Sequence, residues 1–259
     1  MNDINVKQLF IHPIKGLTPQ AENTVDLHAG HGIRGDRAFA LMYNTAAPSD
    51  RAVVPWMKKT NFAMQCALPA LAALKCDYNF QTDVLSVKRQ GIELLATQTR
   101  TQAGRDLIGA FFTSYLAAVT ASGSSLRLVG DGNGTSRYPD RIAVHLSLVS
   151  QASLNQLSDL VGQHVDVRRF RPNVVLDGVP AWGEFDWVGQ QLQIGSATLE
   201  ITAPINRCLN INVNPDTGES DLPLLELLQQ HFRHRQTGVV AKVIRSGTVK
   251  IGDRLQLLN

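Results

Sequence analysis

The pattern of apolar and polar positions predicts a chain built mostly of strands, with helices in three places. Ile4 to Ile11 is β-prone and stops at His12-Pro13-Ile14-Lys15-Gly16, whose proline and glycine break an extended run. Ala38 to Tyr43 is a short apolar run that also predicts a strand. Val84 to Arg89 and Ile92 to Leu95, joined by Gln90-Gly91, have the form of a hairpin. From Thr101 to about Ala121 the period lengthens: Leu107, Phe111, Tyr115 and Ala118 recur at helical spacing. Ser122-Gly123-Ser124 closes that helix and predicts a domain boundary between residues 121 and 122. Ser150 caps a second helix through Leu154, Leu157 and Val161, which Gly162 ends. Strands follow at Asn173–Leu176, Gln191–Ile194 and Ala197–Thr202, the last two joined across Gly195-Ser196. Pro223 opens a third helix through Leu227, Leu228 and Phe232, and two strands, Val239–Arg245 and Thr248–Leu257, finish the chain.

Composition narrows the class without naming a function. A chain of 259 residues exceeds one comfortable core, so two subdomains or one large mixed domain are expected. A net charge of +3, with no Lys/Arg run interleaved with aromatics, argues against a nucleic-acid partner. No apolar stretch reaches membrane-spanning length and the start has no apolar leader core, so neither a membrane partner nor export is expected. Cys66, Cys76 and Cys208 follow no disulfide or zinc spacing, which suits a reducing cytoplasm.

Several motifs fail on context. Gly30-His31-Gly32-Ile33-Arg34-Gly35 matches a dinucleotide fingerprint, but a strand rather than a helix is predicted after it. Asp131-Gly132-Asn133-Gly134-Thr135 opens like a calcium loop, yet the twelfth position is Ile142 rather than glutamate. His231 and His234 share a predicted helix face with no third ligand nearby, and read as solvated.

What remains is a set of cations and one thiol, each beside a turn. Cys208 lies between Arg207 and the Pro215-Asp216-Thr217-Gly218 turn, where a thiol can be activated and kept open to a partner. It reads as a nucleophile or a soft metal ligand. Pro13-Ile14-Lys15-Gly16, Gly32-Ile33-Arg34-Gly35-Asp36-Arg37 and Arg168-Arg169-Phe170-Arg171-Pro172-Asn173 supply the cations. Charge-assisted hydrogen bonds to phosphate contribute roughly 1.5–3 kcal/mol each, so three converging cations would hold a phosphorylated cofactor tightly. Plainer roles stand beside these. Cys208 could be a small buried hydrophobe, Asp36 and Arg37 a surface ion pair, Arg171 an anchor at a strand start, and Lys15 an exposed turn lysine. Arg168 and Arg169 read as solvated charges, and Cys66 and Cys76 as core residues.

In order and wording these four segments resemble the MOSC family, named for the C-terminal domain of molybdenum cofactor sulfurases. The resemblance runs from Ile11-His12-Pro13-Ile14-Lys15-Gly16 to Val249-Lys250-Ile251-Gly252-Asp253. It is strongest to two-part members such as the mitochondrial amidoxime-reducing components and their bacterial counterparts. It implies a strand-rich α+β fold, with an N-terminal MOSC β-barrel over residues 1–121 and a pyruvate-kinase-type β-barrel MOSC domain over 122–259. It also implies a molybdenum–pterin cofactor ligated by Cys208, with Lys15, Arg37, Arg171, Asn173 and Arg207 on the cofactor side. The implied reaction is reduction of small N-hydroxylated compounds, and the alternative is a non-catalytic carrier of the cofactor or its sulfur. Pyridoxal phosphate is not expected, because the sulfurases bind it in a separate aminotransferase-like domain. Electrons would come from a separate donor of ferredoxin, flavoprotein or cytochrome type. Two departures stand out: Ile205 replaces the first cysteine of a frequent Cys-x-Arg-Cys pair, and Cys66 stands where relatives usually carry arginine.

Overall fold

Alternation of side chains resolves into seventeen strands, three α-helices and five 3-10 turns in a computed structural model that describes residues 3–46, 51–120, 124–133, 136–142 and 145–258. The largest sheet has eight strands in the spatial order Leu255–Leu258, Gln191–Ile194, Ala197–Asn206, Gln236–Arg245, Leu146–Ser150, Val174–Asp177, Asn5–Ile11 and Gln20–Glu22. It curls on itself: Val6 N donates to Asp253 O at 2.9 Å and Leu255 N to Ile4 O at 2.9 Å, so the first strand meets the approach to the last. The inner face buries Leu9, Leu148, Leu176, Leu199, Ile201 and Val239. Phe10, Val149 and Val175, their neighbours in sequence, face the other way onto helices α2 (Gln151–Val161) and α3 (Leu224–Phe232). Parts of these central strands, Leu9-Phe10-Ile11 and Val174-Val175-Leu176, are therefore apolar on both faces and form short continuous apolar runs rather than alternating ones.

Leu146–Ser150 and Val174–Asp177 pair in parallel, a geometry that needs a crossover, and α2 supplies it. Ser150 caps α2 by accepting from Ala152 N at 3.1 Å, and Gly162 ends it in the left-handed region at φ 70°. Both termini match the sequence expectation.

The other strands build around a second core of Ile14, Leu17, Phe39, Leu41, Leu71, Tyr78, Leu85 and Val87. Ile14–Lys15 pairs parallel to Phe39–Tyr43, which pairs antiparallel to Leu126–Gly130. Val84–Arg89 and Ile92–Gln98 form the expected hairpin, with Gln90 and Gly91 both at positive φ. Lys75–Asn79 adds a third strand there, and Thr24–His28 pairs with Gly247–Lys250 from the far end of the chain.

Helix α1 spans Gln102–Leu116, shorter than expected, and its buried stripe is Ile108, Phe112 and Leu116 rather than one headed by Leu107. Leu107 is 55% exposed, and Phe111 and Tyr115 only flank the core. The true stripe includes Arg105, whose guanidinium donates to four backbone carbonyls of Ala52, Thr99, Leu128 and Gly130. Pro223 is the N-cap of α3 rather than its first residue. The expected final strand is two, Gly247–Lys250 and Leu255–Leu258, parted at Gly252. No helix follows the Gly30–Gly35 fingerprint: Gly32–Ile33 is a short strand and a turn leads to Phe39. The expected boundary at 121/122 and part of the calcium-like loop, Gly134-Thr135, lie outside the described residues.

Candidate functional site

The proline that stops the first strand sets up the site. After His12-Pro13 the chain re-enters a sheet for two residues, Ile14–Lys15, which directs the Lys15 side chain inward. Lys15 is 2% exposed, and its Nζ donates to Asp140 Oδ1. Burial lowers the Lys15 pKa, Asp140 opposes that shift, and Arg37 and Arg171 push further down.

Asp36 is the fixed point of the next segment. Its carboxylate is completely buried and accepts from His12 N at 2.9 Å, from Asn173 Nδ2 at 3.1 Å and from Arg37 NH1. Burial alone would raise its pKa, but Arg37 and the contact with His12 hold it well below the usual carboxylate range. Arg37 itself is in the left-handed region at φ 56°, a conformation that turns its side chain back onto its neighbour's carboxylate. His12 is held near pKa 3 by burial and by the positive charge of Arg171, so the imidazole is neutral. Its Nε2 has no hydrogen-bond partner among the described residues.

Arg171 comes from the other half of the chain. It too adopts φ 51°, and its guanidinium donates to Leu17 O and, at 3.2 Å, to Gln65 Oε1. Burial, then Arg37, brings its pKa down to about 10. Arg37 thus disfavours the charged forms of both Lys15 and Arg171, and Arg171 that of Lys15, a repulsion that an anion would relieve.

Cys208 is exposed and opens a 3-10 turn, Leu209–Asn212. Contact with the Cys66 thiol, together with the Asn210 N–H, Lys59 and Arg207, lowers its pKa to about 6 against the opposing effect of burial. The Cys66 thiol is pushed up by the same contact. Of the two sulfurs, Cys208 is the one whose thiolate form is favoured. Among the described residues no three His, Cys, Asp or Glu side chains gather as a metal site. A metal held here would take thiolate from this chain and its remaining ligands from elsewhere.

Two models of known domains match the chain, one described as the MOSC N-terminal beta barrel domain at residues 3–119 and one as the MOSC domain at residues 138–256. The chain belongs to the MOSC family. Over 135 residues it is 35% identical to mitochondrial amidoxime reducing component 2 of Bos taurus, a match covering 48% of this MOSC chain and 39% of the relative. It is 32% identical over 111 residues to molybdenum cofactor sulfurase of Caenorhabditis elegans, covering 42% of the chain and 15% of the relative. Each match spans less than half of the relative's own length. The crystal structure of the YUAD protein from Bacillus subtilis superposes with a TM-score of 0.50 at 15% identity, over 98% of this chain and 94% of that one. That likeness is one of fold.

Of the residues singled out from sequence, this MOSC chain brings Lys15, Arg37 and Arg171 within electrostatic reach of one another. Asn173 is different. Its amide is spent on Ser147, Phe10 O and Asp36, and it is 1% exposed, so it positions Asp36 and has no hydrogen-bonding capacity left for a ligand. Arg207 donates to Thr237 O at 2.9 Å and Phe170 O at 2.8 Å and lies over the Phe170 ring, so it acts on Cys208 through charge while pinning backbone. Three readings need correction. Cys66 is exposed and beside Cys208, not in the core, whereas Cys76 is buried as expected. Arg169 is buried and bonded to Asn212 O and Asp221, and Arg168 forks between Asp166 and Asp216, so neither is a free solvated charge. His234 lies beyond α3, packed among Trp182, Phe185 and Phe232 rather than on a helix face. Asp140, Gln65 and Lys59 carried no local signal, since their roles arise only from segments that meet in space.

Proposed function

We propose that this MOSC chain is a molybdenum-cofactor-dependent reductase of small N-hydroxylated compounds. One observation carries the reading: Arg171, which Arg37 repels, also lies within electrostatic reach of Cys66, the neighbour of the exposed, low-pKa Cys208 thiol. The donor set fits an anionic metal cofactor, with a soft sulfur for a high-valent metal and cations for phosphate. Cys208 would ligate the metal, and Lys15, Arg37 and Arg171 would hold the cofactor's anionic groups. When bound, the cofactor supplies two-electron oxygen-removal chemistry. The chain's own share is orientation: Asn173 and the His12 N–H fix Asp36, Asp36 aims Arg37, and Asp140 restrains Lys15. We read the curled sheet as the pyruvate-kinase-type barrel, residues 1–121 and 122–259 as the two domains, and the compartment as cytoplasmic. Among the described residues no helix is long and apolar enough to cross a membrane. Electrons would arrive from a separate donor protein, as proposed from the resemblance to amidoxime-reducing components.

Protein made in a host that assembles the cofactor should carry close to one molybdenum and one pterin per chain, and should reduce benzamidoxime with an artificial electron donor. Absence of both metal and pterin sinks the proposal. Metal without turnover instead favours a carrier, a reading supported by Cys66, whose thiol occupies space beside the ligand sulfur.

A further inference from the structure

A cleft of about 400 Å³, within the usual size range of small-molecule sites, opens at the end of the curled sheet away from His12. Ile4, Val179, Pro180, Trp182 and Trp187 line it, and Asp186 is the one charged side chain in its wall among the described residues. The strand Asn5–Ile11 separates Ile4 from His12 by roughly 25 Å of extended chain, so the cleft is remote from the cations around Asp36. Its walls are held in place by the fold. Val179 and Trp187 belong to the core of the curled sheet and are 3% and 5% exposed. Trp182 N donates to Ser153 Oγ at 2.9 Å and its indole Nε1 donates to Gln156 Oε1, both on α2. Its ring lies 4.6 Å from that of Phe232 at the end of α3. Trp182 is also kept at φ 66°, a left-handed conformation that a bulky residue adopts only where its surroundings impose it. An indole fixed in this way costs a ligand little ordering entropy.

The charge of the cleft is one-sided. Asp186 is exposed, and among the described residues nothing pairs with its carboxylate; only its backbone carbonyl is used, by Gln190 Nε2. Asp3 and Asp177 flank Ile4 and Val179, with Asp3 O lying against Gly178. Arg254 pairs with Asp3 at 2.6 Å and leaves Asp177 and Asp186 uncompensated. We infer that this cleft binds a small organic cation, a protonated amine or amidine carrying an apolar arm. The arm lies against the two indoles, whose ring faces attract a cation, and the Asp186 carboxylate accepts the N–H groups of the charged head. An anion of the same shape is repelled. The inference does not depend on a bound cofactor. Amines and amidines are also what reduction of hydroxylamines and amidoximes yields, so products of the proposed reaction fall in the class this cleft accepts.

The test uses the full chain and probes that share one carbon skeleton: phenethylammonium, 2-phenylethanol and phenylacetate. Each is titrated at neutral pH and followed by tryptophan emission and by ligand-observed NMR. Phenethylammonium should bind roughly tenfold more tightly than 2-phenylethanol, a difference of about 1.4 kcal/mol, and phenylacetate more weakly than either. Asp186 is exposed, so Asp186→Asn should keep the circular dichroism of wild type while bringing the ammonium and the alcohol to within about twofold of each other. Ala181 also lines the cleft, and Ala181→Leu should weaken phenethylammonium severalfold by filling it. No binding of phenethylammonium up to about 10 mM, equal affinity for the three probes, or a charge preference that survives in Asp186→Asn would each overturn the inference. Binding untouched by Ala181→Leu would overturn it too, by placing the probe elsewhere.

Discussion

At the scale of single residues, charge and burial decide behaviour more than residue type. Cys208 and Cys76 are the same amino acid, but the exposed Cys208 has its pKa brought down to about 6 by its neighbours, while burial pushes that of Cys76 up to about 12. Replacing Cys208 by serine should therefore leave the unfolding midpoint within about 0.5 kcal/mol of wild type, as surface substitutions do. Metal content should fall at least tenfold if the proposed ligation holds, and metal analysis of protein from a cofactor-competent host measures it. His12 gives a pH prediction. Its folded pKa is near 3 and its unfolded value near 6.5, so between those limits the unfolded chain binds more protons. Stability should accordingly decline as pH falls from 6.5 towards 3, by on the order of 4 kcal/mol. His12→Gln should flatten that slope in urea titrations across this window; an unchanged slope would show that another group sets it. Asp36 acts in the same direction but lower, since its depressed pKa keeps its contribution complete above the ordinary aspartate range.

At the scale of elements, local signals were read well where both ends carry their own chemistry. Helix α2 has a serine cap and a left-handed glycine, and both were visible in the chain because their roles are local. Gly162→Ala isolates the backbone cost, because a methyl group there would meet nothing within 4 Å. The substitution should destabilise by about 1 kcal/mol through the left-handed conformation alone, measured as a shift in denaturant midpoint at unchanged slope. Gly162→Asn should cost less. The stripe of α1 was misread for a physical reason: Leu107 is apolar but faces water, while Arg105 is charged but buried against four carbonyls. Hydrophobicity periods cannot register a cation whose solvent is backbone. The short strands Gln20–Glu22, Gly32–Ile33 and Ile14–Lys15 were missed because two or three residues hold no period at all.

At the scale of the whole molecule, Arg171 joins the halves, reaching Leu17 and Gln65 of the first from the second. Hydrogen bonds from a charged donor contribute about 1.5–3 kcal/mol each, yet Arg171 also repels Arg37 and Lys15. Arg171→Met should therefore cost only about 2 kcal/mol in urea unfolding, less than its bonds suggest, while retention of pterin and metal through gel filtration at high salt drops severalfold. Full retention would assign Arg171 to inter-half packing alone. The amino-acid order by itself determined the strand-rich class, two of the three helices nearly to the residue, the family, and the segments bearing Lys15, Arg37, Arg171 and Cys208, because capping, turn chemistry and motif wording are short-range properties. Only the tertiary structure decided that Asp140 restrains Lys15, that Asn173 serves Asp36, and that Cys66 faces Cys208. Those contacts join positions 125 to 142 residues apart, and at such separations neighbours in space leave no mark on neighbours in sequence.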